Sequence, residues 1–568
     1  MSSRAPVYRL HDATVAEPLV NRWEAWAHLI PPVPASLHLR EYQIKLLKSY
    51  LADPQVHADV CANPKLRSGP FVDVPPARAG EVKEFLLRTE NNLAASLKLA
   101  QATIEFQNYL VGEAKGHSLD PYYPRLPAEL RGYVELTYDY YNRPAVRFFE
   151  GLLYESPYYR SDVQSFRILR QQHDNSRSFI MSTPRLPESD QIEWDVPFED
   201  SVVDELFRLN TTPQTLGYIR ELLGVSPANE KVLLSLLSEK PTVVPPETWN
   251  GSDARVRYFG HACALVEWNG VSILTDPYIG VMPVSGGVDR LTYDDLPERI
   301  DYVLITHNHH DHFCLETLLR LRHKIDCLVV PRSSGFFYGD LSLKLLAQKV
   351  GFKNVVELDC MQSIPLPDGE IVAIPFMGEH ADLPHSKSGY VIRTGKKQMM
   401  FAADSDCLDE YMYENVRRSL GTIHTVFLGM ECVGAPLSWS CGPFFPVKPD
   451  RTIDQTRRYK GSDSVRGQKM LAAVQAERLY IYAMGMEPWF EHLLGLAYDE
   501  DAVQLRESSN LLTIAREAGF NDAERLFGKR EIILPATSEG DETIHDMTDE
   551  TTSSTSSEEP AEATFVFD

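Results

Sequence analysis

The chain has 568 residues, 43% of them hydrophobic and 24% charged, with a formal net charge of -24. That length exceeds one ordinary domain and carries enough apolar material for large cores. The acidity argues against nucleic acid and anionic membrane as main partners. The eight cysteines form no Cys-x-x-Cys pair, no signal peptide follows Met1, and no window approaches a membrane span, so a cytoplasmic protein is expected.

Residues 1–245 read as one mostly helical α+β region. Apolar residues recur at helical spacing over 80–112, through Val82, Phe85, Leu86, Leu93, Leu97, Ile104 and Leu110. A second helical stretch is expected over 129–154, rich in Tyr and Phe. Its aromatic residues (Tyr133, Tyr138, Tyr140, Tyr141, Phe148, Phe149) suit a core or a homodimer interface better than a cofactor wall. Strands are expected at 177–183 and 191–196, then helices over 202–223 and 229–237. Residues 240–251, with Pro241, Pro245, Pro246 and Gly251, read as a linker.

Residues 246–536 change to an α/β pattern. Strands are expected at 255–259 and 262–268, and Asn269-Gly270 signals a tight hairpin into 271–275. Further strands are expected at 302–306, 327–330, 355–358, 370–376, 389–393, 398–402, 425–428 and 478–483, with helices between several of them. From Ser538 to Asp568 there are ten Asp or Glu and no Lys or Arg. This tail, 537–568, reads as disordered.

The chemistry concentrates in His307-Asn308-His309-His310-Asp311-His312, at the end of an apolar strand. His307 and His309 point the same way in an extended turn and can meet one cation. Asp311 and His312, one step on, can serve a second. Three imidazoles held this close would repel one another if protonated, so a metal pair is the natural reading. His310 is expected to point away. Glu379 and Asp404 follow two further strands, where a carboxylate can ligate or bridge two ions. His261 and Asp276 flank the first hairpin and suit supporting roles around the imidazoles.

These features, Gly260-His261, Thr275-Asp276-Pro277, His307-x-His309-x-Asp311-His312, Gly378-Glu379-His380 and Ala403-Asp404, resemble the metallo-β-lactamase superfamily. The resemblance implies an αββα sandwich over the second half. The whole chain further resembles a narrower group, the dinuclear-iron β-hydroxylases of nonribosomal peptide pathways, typified by the enzyme acting on carrier-bound p-aminophenylalanine in chloramphenicol biosynthesis. Ala16–Trp23, Gly429-Met430-Glu431-Cys432 and Met484-Gly485-Met486-Glu487-Pro488-Trp489 carry that likeness.

What the resemblance implies is as follows. His307, His309 and Glu379 would hold one iron, Asp311 and His312 the other, and Asp404 would bridge. The enzyme would be an O₂-dependent monooxygenase that hydroxylates the β-carbon of an aminoacyl group on a peptidyl carrier protein, fed by an external electron donor. The N-terminal region would form a homodimer and help recognise the carrier. A substrate on a long arm needs a channel; Trp439, Trp489 and Phe490 are candidates to line it, although aromatics of this kind suit a core better. The alternative is a zinc hydrolase in which His380 replaces Glu379; His492 is the one candidate for a further His ligand. A carboxylate at the third position makes the site harder and more anionic, which favours iron over zinc.

Overall fold

The computed structural model describes residues 6–335, 338–379, 386–496 and 498–536. The tail 537–568, expected to be disordered, and His380 lie outside them.

Two seven-stranded sheets face each other in the second half. The first runs in the order Val355–Leu358, Ile325–Pro331, Ile300–Leu304, Val271–Thr275, Cys263–Trp268, Ala254–Gly260, Arg530–Leu534. The second runs Ser363–Leu366, Gly369–Ile374, Gly389–Thr394, Lys397–Phe401, Thr425–Gly429, Arg478–Tyr482, Asp522–Arg525. Each is antiparallel through the hairpins and parallel where helices make the crossovers. Alternation sorts their side chains. Val256, Ala264, Leu304, Ala373, Phe401 and Phe427 fill the space between the sheets. Val372, Val391, Met400 and Leu428 turn outward under helices Glu410–Leu420, Ser464–Val474 and Val503–Glu517. This is the expected αββα sandwich. Asn269-Gly270 closes its hairpin with both residues at positive φ, as a two-residue turn requires.

The first half wraps the outer face of the first sheet. Leu265, Leu274, Val303 and Leu328 share one core with Phe166, Phe198, Val203 and Leu206. A four-stranded sheet (Trp23–Glu24, Thr14–Val20, Gln164–Arg170, Ile192–Trp194) and helices Pro32–His38, Ile44–Ala52, Ala79–Asn92 and Ala94–Glu113 form most of this half. The stretch expected as one helix from 80 is thus two, broken at Leu93.

Two expectations are corrected. Residues 129–154 are a hairpin, Val134–Tyr138 with Pro144–Phe148, followed by the short helix Glu150–Tyr154. The period is two: Val134, Leu136, Val146 and Phe148 are buried while Glu135 and Arg147 are exposed. Asp139 Oδ1 accepts the backbone N–H of Tyr141 (2.8 Å) and Arg143 (2.9 Å), and Asn142 takes a positive φ, which makes the turn. Residues 177–183 are not a strand. Their path is set by the side chain of Arg177, which donates to Glu17 (2.8 Å), Glu24 (3.2 Å) and Glu316 (2.6 Å). Arg185 joins it on Glu17 and Glu24. All five are buried. Glu316 belongs to the helix directly after the histidine motif, so this network pins the N-terminal sheet to the element behind the site. Burial pushes the Glu24 carboxyl up to about 8 against the pull of Arg177. Glu17 is as deeply buried, yet Arg167, Arg185 and Arg177 hold it well below the usual carboxylate range.

A candidate metal centre between two sheet ends

The site lies where strands of both sheets end. Ile300–Leu304 delivers Thr306 and the histidine motif; Val271–Thr275 delivers Asp276; Lys397–Phe401 delivers Asp404; Ala254–Gly260 delivers His261. His261, Asp276, Ala403 and Ala483 all sit at positive φ, with φ of 49°, 32°, 46° and 50°. Non-glycine residues resist that region by about 1–2 kcal/mol each, and such strain gathers at functional sites.

His307 and His312 are fully buried, with ring centroids 4.0 Å apart. Asp404 Oδ2 lies 3.0 Å from His312 Nε2 and 3.6 Å from His307 Nε2. Asp311 Oδ2 lies 3.4 Å from His312 Nε2 and 3.0 Å from His261 Nε2. Two sets of ligand atoms therefore converge, His307–His312–Asp404 and His261–Asp311–His312, each within 4.8 Å. The His309 ring stands 4.7 Å from His307 and 4.9 Å from Tyr459.

One carboxylate orders two imidazoles. Asp276 Oδ1 accepts the Thr306 backbone N–H (2.7 Å), and Oδ2 accepts the Thr306 hydroxyl (2.6 Å) and His312 Nδ1–H (2.8 Å). With its proton given to Asp276, the Thr306 oxygen accepts from His307 Nδ1 at 3.0 Å. Both rings thus carry a proton on Nδ1 and turn Nε2 toward Asp404. His261 has the opposite tautomer. Its Nδ1 accepts the Gly485 N–H (3.1 Å), so Nε2–H donates to Asp311. His310 donates Nε2–H to the Leu493 carbonyl (2.7 Å), away from the cluster.

Burial opposes the His312 imidazolium, but Asp404, Asp311 and Asp276 raise its pKa well above the usual value. Burial likewise opposes the Asp311 carboxylate, yet His312 and His261 hold it well below its ordinary range. Three buried carboxylates and three imidazoles in one small volume fit a pair of divalent cations, and nitrogen and oxygen donors of this kind suit iron.

The structure does not bring Glu379 into the cluster. Its side chain is 43% exposed and accepts Arg457 Nε at 2.8 Å. The preceding Gly378, at positive φ, turns the chain outward there, and the guanidinium is the counter-charge within reach. His492 is not in the cluster either. It is buried 3.9 Å from Glu24, beside the arginine network.

A cavity of about 480 Å³ opens beside the cluster. His261, His309, Asp311 and Asp404 line one end, and Trp439, Pro436, Met484 and Leu496 give it an apolar body. Trp26 and the segment 65–71 contribute from the N-terminal half. Trp489 and Phe490 do not line it: both are core residues, and Phe490 packs 4.9 Å from the His261 ring. Tyr459 and Trp26 went unnoticed in the sequence, and Thr306, quoted at the head of the histidine loop, was given no role. Only the position of Thr306, one residue before the motif, offered a signal.

A family model described as the diiron non-heme β-hydroxylase N-terminal domain matches residues 9–241, and a β-lactamase superfamily domain matches 255–373. The 4-amino-L-phenylalanyl-(CmlP peptidyl-carrier-protein) 3-hydroxylase of Streptomyces venezuelae is 34% identical over 533 residues, 93% of this chain and 100% of the relative. The chain belongs to the diiron non-heme β-hydroxylases. The crystal structure of CmlA, a diiron β-hydroxylase from Streptomyces venezuelae, superposes with a TM-score of 0.86 at 32% identity, covering 94% of this chain and 100% of that one. A variant of CmlA gives 0.85 at 32% identity, covering 93% and 100%. Membership in this family makes the metals iron and sets aside the zinc hydrolase alternative. No described helix is long and apolar enough to cross a membrane.

Proposed function

We propose that this β-hydroxylase adds a hydroxyl group from O₂ to the β-carbon of an aminoacyl group tethered as a thioester to a peptidyl carrier protein, in nonribosomal peptide antibiotic biosynthesis. The observation that carries this reading is the cavity: a cluster of candidate metal ligands at one end, apolar walls, and a flank built by the N-terminal half. A substrate on a long arm needs such a passage, and its apolar walls keep bulk water from the reacting carbon.

In this reading His307, His309 and Glu379 would hold one iron and Asp311 and His312 the other, with Asp404 between them. Glu379 would exchange its Arg457 partner for the cation. Irons held there would supply the O₂ chemistry at the β-carbon. The protein's own part is orientation. Asp276 and Thr306 fix two imidazole tautomers, His261 anchors Asp311, and the strained strand ends hold all of them in place. We further propose a division into 1–245 for dimerisation and carrier recognition, 246–536 for catalysis and an acidic tail at 537–568. An external electron donor, a cytoplasmic location and a homodimer complete the reading; the exposed Tyr140 and Tyr141 at the hairpin tip favour the last.

Intact-mass analysis of an aminoacyl carrier protein after incubation with reduced enzyme and O₂ tests the activity. A gain of one oxygen is expected. Glu379→His should lose that gain and iron content while keeping its circular dichroism; unchanged turnover would remove Glu379 from the ligand set.

A further inference from the structure

The cavity contains one carboxylate that the metal cluster does not use. Glu431 is half-buried in the wall, between the apolar body and Gln504. Its oxygens are held from several sides. Oε1 accepts the Gly434 N–H (2.8 Å) and Gln504 Nε2 (2.8 Å); Oε2 accepts the Tyr498 hydroxyl (2.6 Å) and Gln504 Nε2 (3.1 Å). All these donors are neutral. Among the described residues no Lys, Arg or His lies within ion-pair distance of Glu431, although most other buried carboxylates of this chain have such a partner. The side chain is oriented, and the lysine on the cavity lining, Lys65, pairs with Asp499 Oδ2 at 2.8 Å and not with Glu431.

Glu431 also stands close to the metal end. Gly429, two residues earlier, touches the cluster: a Cβ there would lie 2.9 Å from Asp404 Oδ1. The Glu431 carbonyl accepts the Gly461 N–H (2.8 Å), and a Cβ on Gly461 would lie 3.3 Å from the Asp404 carbonyl. Burial raises the Tyr498 pKa well above its usual value, and the charges of both Glu431 and Asp404 add to that, so one phenol feels both carboxylates.

We propose that Glu431 binds the free α-ammonium of the aminoacyl group and thereby orients the β-carbon toward the metals. The inference rests on the proposed hydroxylation of a carrier-bound aminoacyl thioester. The α-ammonium is the one cation every uncondensed aminoacyl thioester carries, and its nitrogen is two bonds from the β-carbon. Holding it fixes that carbon's position, whatever the side chain. The thioester itself bears no charge and cannot supply this anchor. It follows that the enzyme acts before the amino group is condensed into a peptide.

The test uses the iron-loaded full chain without reductant and three pantetheine thioesters: phenylalanyl, with an α-ammonium; 3-phenylpropanoyl, with no amine; and 3-(4-aminophenyl)propanoyl, with only a side-chain amine. Dissociation constants are measured by calorimetry. The wild type should bind the phenylalanyl thioester about tenfold or more tighter than either of the others, about 1.4 kcal/mol. Glu431→Gln should abolish that preference and leave the 3-phenylpropanoyl affinity unchanged. Tyr498→Phe, which keeps the carboxylate, should retain the preference. Equal affinity of the wild type for phenylalanyl and 3-phenylpropanoyl thioesters overturns the inference and leaves the hydroxylase reading intact. So does a uniform loss in Glu431→Gln, which marks a merely structural role, or a preference that follows the side-chain amine. A wild type that binds none of the three overturns both readings.

Discussion

Asp276→Asn tests the tautomer control at the cluster. Asparagine keeps the shape of the side chain and tolerates the backbone φ of 32°, so the turn itself is spared. Its Oδ1 can still accept the Thr306 N–H. Its amide NH₂, however, replaces the oxygen that accepts from Thr306 Oγ1 at 2.6 Å and His312 Nδ1 at 2.8 Å. An NH₂ facing Nδ1 makes that nitrogen an acceptor and moves the imidazole proton to Nε2, the atom aimed at Asp404. His312 is then blocked as a ligand, and Thr306 no longer has a place to send its proton, so His307 is disturbed as well. Changes to groups that orient ligating histidines typically cost 10–100-fold in metal affinity, about 1.4–2.7 kcal/mol. Iron affinity is measured by competition with a chelator, and stoichiometry by atomic emission. Asp276→Ala provides the contrast. It imposes no tautomer, although alanine pays about 1 kcal/mol for its positive φ. Asp276→Asn should therefore bind iron more weakly than Asp276→Ala, while Asp276→Ala melts at the lower temperature. Iron affinity in Asp276→Asn equal to the wild type, or weaker in Ala than in Asn, would refute it.

Arg177→Met removes the cation shared by three buried carboxylates, leaving Arg185 on Glu17 and Glu24 but taking from Glu316 its ion-pair partner, and should destabilise the protein by about 3–5 kcal/mol, read from the shift of its urea unfolding midpoint. A shift below 1 kcal/mol would show that the remaining arginines suffice. Glu150 gives a pH signature. Burial, with Asp340 nearby, raises its carboxyl to about 7, although the Ser342 N–H opposes the shift. A carboxyl raised on folding keeps its proton in the native state after the unfolded chain has released it. Stability contributed by this group is thus full below pH ~4.5 and declines by up to about 1.4 kcal/mol per pH unit until about pH 7. Glu150→Gln should flatten that part of the stability curve; an unchanged slope between pH 5 and 7 would assign it to other groups.

The catalytic half was legible because its signals are local. Alternating strands, the Asn269-Gly270 turn and the histidine motif each specify their own geometry, and one loop supplies most of the imidazoles of the cluster. The N-terminal half was harder to read. The 134–148 hairpin hides its period of two among tyrosines that suit either element. The 177–183 path depends on Arg177 finding glutamates 160, 153 and 139 residues away. Glu379 shows the limit at the site itself. Its strand-end position was plain, but the competing guanidinium of Arg457 is 78 residues distant and unforeseeable from spacing. Glu431 was visible as part of a family-like segment, whereas Tyr498 and Gln504, which orient it, meet it only through the fold.

The cavity wall has a consequence for engineering. Trp26 and the segment 65–71 come from one half, Trp439, Met484 and Asp404 from the other, and a common core runs behind both. A chimera joined at the linker would pair two walls of the binding chamber, and two faces of one core, that were not shaped for each other. Altered substrate scope therefore calls for paired changes on the two sides of the chamber, and exchange of either half alone should give an insoluble or promiscuous protein.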